Sequence, residues 1–102
     1  MNVSPANITA TDKFQKFMAA FDKLNTNIKS KMDLVYFTKA EELGDGIIQI
    51  TATDEWVNMP KTEKENTLRI IFKLWDKAEG SGLPIAVYIV DKNDNQHLSM
   101  YR

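Results

Sequence analysis

Phe14, Phe17, Met18, Phe21, Leu24 and Ile28 recur at steps of three and four residues. That spacing places them on one face of an α-helix, and a stripe so rich in aromatics has to be covered by something. Lys13, Lys16, Lys23, Asn27 and Lys31 fall on the opposite face, and no Pro or Gly interrupts the stretch. Thr9 and Asp12 have the spacing of a capping box, so the helix is expected to start there and run to about residue 32.

The hydrophobic period then changes. Leu34-Val35-Tyr36-Phe37-Thr38 is dense in β-branched and aromatic residues, which suit a pleated strand. Lys39-Ala40-Glu41-Glu42-Leu43 has helix-forming composition and leaves open a short helical turn within residues 34–43. Gly44-Asp45-Gly46 tolerates the positive φ of a tight reversal. Ile47 to Thr53 reads as the returning strand, with Ile48, Ile50 and Ala52 on one side and Ile47, Gln49, Thr51 and Thr53 on the other.

A second round follows. Asp54 to Met59 is a connector carrying Trp56 and Val57, and Pro60 fits the first turn of a helix, with Thr62 and Glu65 as an alternative capping box. Leu68, Ile71, Phe72, Trp75 and Ala78 make the inner stripe, while Arg69, Lys73, Asp76 and Lys77 lie opposite. Gly80-Ser81-Gly82 stops the helix. Leu83 to Val90 is apolar and β-rich, Asp91 to Asn95 is a turn by composition, and His97 to Tyr101 returns as an outer strand.

The order is α-β-β-α-β-β, and the class is α+β. Hairpins connect neighbouring strands, so the expected architecture is an antiparallel four-stranded sheet with two helices packed on one face. A chain of 102 residues suits one domain. Residues 1–8 are expected to form a flexible N-terminal segment and residues 9–102 the domain.

Composition removes several classes of function. Cysteine is absent, which excludes disulfides, thiolate metal sites and cysteine nucleophiles and fits a reducing compartment. Thirteen basic residues against fourteen acidic ones give a net charge of −1, without the electrostatic footprint of a nucleic-acid-binding protein. The opening Met1-Asn2-Val3-Ser4-Pro5 lacks the pattern of a secretory signal, and no apolar run approaches the roughly 20 residues that span a bilayer. No membrane partner is expected, and the setting is taken as cytoplasmic.

Catalytic and metal-binding patterns fail on spacing. Asp91-Lys92-Asn93-Asp94-Asn95 opens like a calcium loop, but Gln96 stands where the sharp turn needs Gly and Arg102 where a bidentate Glu belongs. His97 is the only histidine and cannot anchor a zinc site. Ser99 shares its strand face, but no orienting carboxylate or oxyanion hole is suggested. Glu41-Glu42 and Asp54-Glu55 are adjacent pairs, which on a strand point to opposite faces. Neither glycine pair continues as a phosphate-binding loop. No catalytic residue, cofactor or metal is therefore assigned.

What remains is a non-enzymatic protein-binding or self-assembly module, with a protein partner or a second copy as its ligand. The candidate interaction surface is the basic stripe Arg69, Lys73 and Lys77 together with Leu98, Met100 and Tyr101 of the last strand. The stripe Phe14, Phe17, Phe21, Leu24 and Ile28 is either core or a helix–helix seam between two chains. The alternative function is a small ligand-binding domain or enzyme using Asp54 and Glu55 beside Trp56, where burial would raise a carboxylate pKa, with His97. A pocket in which those groups converge would favour it.

Overall fold

The computed structural model describes residues 11–102. Helix α1 spans Asp12–Met32. Its cap is Thr11, whose Oγ1 accepts the Phe14 N–H at 3.1 Å. The capping role expected of Thr9 and the flexible segment expected at residues 1–8 lie outside the described residues. Asp33 ends the helix in the left-handed region at φ 53°, its N–H bonded to the Lys29 carbonyl.

Strand β1 runs Phe37–Gly44 and β2 runs Ile47–Ala52, paired antiparallel around the Gly44-Asp45-Gly46 turn. Residues 39–43 are therefore strand, despite their helical composition, because Lys39, Ala40, Glu41 and Glu42 each meet a partner on β2. The connector is not irregular: Asp54–Val57 forms a short helix, α2. Thr53 accepts the Trp56 N–H and donates its hydroxyl to the Val35 carbonyl at 2.6 Å, so one side chain caps α2 and pins the approach to β1. Helix α3 spans Lys61–Glu79, with Pro60 as its N-cap and no side-chain cap, so the Thr62–Glu65 box is unused. Gly80 closes it at φ 66°. Strands β3, Ala86–Val90, and β4, Gln96–Tyr101, form the second hairpin.

The strand order is β1-β2-β3-β4, and the sheet is mixed. The two hairpins are antiparallel, but β2 and β3 run parallel, with Ile47 beside Ala86 and Thr51 beside Val90. This corrects the all-antiparallel expectation, and the reason lies in the connection. Between β2 and β3 the chain travels back along α3, so the next strand starts from the end where β2 began. Side by side, such strands must be parallel. The described residues also contain three helices rather than two.

The core forms where the helices meet one face of the sheet. Phe14, Phe17 and Phe21 of α1, Trp56 of α2 and Leu68, Ile71 and Trp75 of α3 pack with Ile48, Ile50, Ala52, Val87 and Ile89. Phe17 and Trp56 are fully buried. The Phe17 and Trp75 rings meet edge to face at 5.8 Å, while Lys13 of α1 pairs with Glu79 of α3, so the two long helices are antiparallel neighbours. Leu24 and Ile28 are partly buried against the same core. Among the described residues no helix is long and apolar enough to cross a membrane.

Candidate functional site

Three places bring polar or exposed apolar side chains together. The first is the far face of the sheet. Because side chains alternate along a strand, Ile47, Gln49, Thr51, Ala86, Tyr88 and Val90 point away from the core, and none belongs to the cluster beneath the helices. The register aligns them in rows. Gly44, Ile47, Ala86 and Tyr101 cross one end, with Leu43 left unpaired at the register shift before Gly44, and Glu41, Gln49, Tyr88 and Ser99 cross the middle. Tyr101 is 74% exposed and Leu43 54%, whereas Thr51, Ala86 and Val90 are buried. The charged pair here, Lys39 and Glu41, is matched internally at 3.3 Å.

The second is the corner beside Trp56. The β3–β4 ladder slips between Ile89 and Val90, so His97 is an extra residue that bulges out of register. Its ring stands edge-on to Trp56 at 6.4 Å, and its Nε2 lies 2.9 Å from Asp91 Oδ2. Asp91 Oδ1 accepts the N–H groups of Asn93 and Asn95, which closes the turn. The bond from His97, with the help of those amides, holds the Asp91 carboxyl down to about 2. From sequence Asp91 reads as a turn residue that opens a failed calcium-loop pattern, not as the partner of His97. The slipped register, which has no sequence signature, is what makes it the partner of His97.

Asp54, Glu55 and His97, whose convergence would favour the alternative function, share no hydrogen bond or ion pair among the described residues. Asp54 pairs with Lys92 at 3.3 Å rather than with His97. Trp56 gives its indole N–H to Thr67 Oγ1 at 2.7 Å, and Lys64 lies over its ring at 5.7 Å. No hydrogen bond joins Ser99 to His97 among the described residues, and no three His, Asp or Glu side chains there are grouped to hold a metal. The Asp91 carboxylate orients the His97 imidazole.

The third is a cleft of about 420 Å³ at the start of α1, walled by Trp75, Leu83 and Pro84 and carrying Asp12, Glu42, Asp45 and Glu79. Glu42 accepts both the N–H and the hydroxyl of Thr11, at 3.1 and 3.0 Å, where the helix dipole favours a negative charge. Glu79 is buried, and hydrogen bonds from the Ser81 hydroxyl and amide, aided by Lys13, hold its carboxyl at about 2. Both carboxylates are thus spent on local structure.

The residues singled out by sequence are scattered. Leu98 and Met100 face the core and pack against it, while Tyr101 lies on the far face. Arg69, Lys73 and Lys77 are exposed on α3, and Arg69 bonds the side chain of Asn66. Phe14, Phe17 and Phe21 are interior. Comparison with protein-family models, with curated proteins and with solved structures finds no match to this chain.

Proposed function

We propose that this protein is a non-enzymatic binding module that associates with a protein, a second copy of itself or another chain, through the far face of its sheet. The observation that supports this is the row Ile47, Ala86 and Tyr101, set beside Tyr88, on a face that no described helix covers. Such a face is poor in unpaired charge and offers tyrosine and aliphatic surface, the composition of an interface centre. The absence of cysteine suits a cytoplasmic setting.

Solution mass is the test, measured by light scattering over a concentration series for the wild type, Tyr101→Glu and Tyr88→Glu. A mass above that of one 11.7 kDa chain, falling to it in both folded variants, supports self-association. A single-chain mass throughout removes the second copy. The face is then probed by amide shifts on adding a candidate protein, and shifts confined to the helices would overturn the assignment.

A further inference from the structure

On the outer side of the helix pair, Lys16 and Ala20 of α1 and Leu74, Lys77 and Ala78 of α3 line a shallow groove of about 290 Å³. From this groove we infer that the protein has a second binding surface, distinct from the sheet face, that receives an acidic amphipathic helix of another protein.

The groove continues beyond those residues. Ile70 lies one turn before Leu74 and is 46% exposed, so Ile70, Leu74 and Ala78 form an apolar line at four-residue spacing. Along the antiparallel α1, Lys16, Ala20 and Lys23 follow at steps of four and three, which keeps them on the side facing that line. The floor is thus apolar and the rims basic. Lys16, Lys23 and Lys77 make no ion pair among the described residues, whereas nearby Lys13 is held by Glu79.

Charge selects the occupant. A helix with apolar residues at three- and four-residue spacing would fill the seam between α1 and α3, and glutamates on its flanks would meet lysines on both rims. A second copy of this chain would bring lysines to lysines. Residues 1–10 contain no acidic side chain, so the chain's own start lacks the complementary charge. A phosphate backbone would match the lysines and leave Ile70 and Leu74 without partners. A bilayer needs a protruding apolar face, and this one is concave.

The probe is a set of synthetic acidic amphipathic helices, carrying Leu or Ile at heptad positions and Glu on the flanks, titrated into isotope-labelled full chain. Saturable binding with amide shifts at Lys16, Ala20, Leu74 and Ala78 is expected. Lys16→Glu/Lys77→Glu should weaken it at least tenfold, and Ile70→Glu, at an exposed site that spares the core, should do the same. Binding that is equal for a scrambled acidic peptide, for single-stranded DNA or for phosphatidylserine vesicles would overturn the proposal, as would no binding across the set. Tyr101→Glu should leave peptide affinity unchanged, which separates failure here from failure of the sheet-face assignment.

Discussion

The indole N–H of Trp75 donates to the carbonyl of Gly46 at 2.9 Å, tying the C-terminal end of the second long helix to the turn of the first hairpin. Gly46 also accepts nothing larger than hydrogen at its α-carbon. Its φ is 74°, and a Cβ there would sit 2.8 Å from the Pro84 carbonyl oxygen. Both strain and backbone contact oppose a side chain, so Gly46→Ala is expected to cost about 1–3 kcal/mol. Gly44 has open space around it, and Gly44→Ala should leave stability level or slightly raised. Urea unfolding of the two variants is the check.

Phe17 is fully buried between Phe14, Phe21 and Trp75. Phe17→Ala should destabilise by about 3–5 kcal/mol, the range for a large aromatic cavity. Phe17→Glu should fail to fold. A folded Phe17→Glu chain of normal helix content by circular dichroism would place the stripe in an interface between chains.

Trp56 is completely buried and its one polar atom depends on Thr67. Thr67→Val keeps the shape and removes the acceptor, so the buried N–H loses its partner at about 1–3 kcal/mol. A thermal melt followed by tryptophan fluorescence reads this, and a melting temperature equal to the wild type would show that the indole bond adds nothing.

Asp91 is lowered from 3.8 to about 2 in the folded chain. A depressed carboxylate contributes stability above its unfolded pKa and loses it as pH falls through the folded one. The wild type should therefore exceed Asp91→Asn in urea midpoint at neutral pH, with the gap closing between pH 3.8 and about 2. A gap that stays constant through that window would show that the charge is not what holds the hairpin.

Much of the architecture was legible because its signals are local. The α1 stripe, the Gly46 and Gly80 turns and the Asp91 turn each follow from a few neighbouring residues. Residues 39–43 were ambiguous because their composition favours helix, and only pairing with β2 makes them strand. The parallel alignment of β2 and β3 escaped because it depends on where a helix delivers the chain. The corner at His97 escaped for a similar reason: a one-residue slip decides which carboxylate the imidazole meets. The groove between α1 and α3 was half visible, since Lys77 stood out while its neighbour Lys16 belongs to a helix far away in sequence.

The parallel alignment at the centre of the sheet also fixes an order of events in time. Each hairpin closes over a short turn and can form on the microsecond scale. The β2–β3 seam cannot, because its register pairs residues 47–51 with residues 86–90 across the whole of α3. Its closure entropy has to be met before the core rewards it. The rate of folding should therefore answer to the helix that carries the chain back: substitutions at Leu68 and Ile71 should slow refolding, while those in the turn at Asp91 should mainly hasten unfolding.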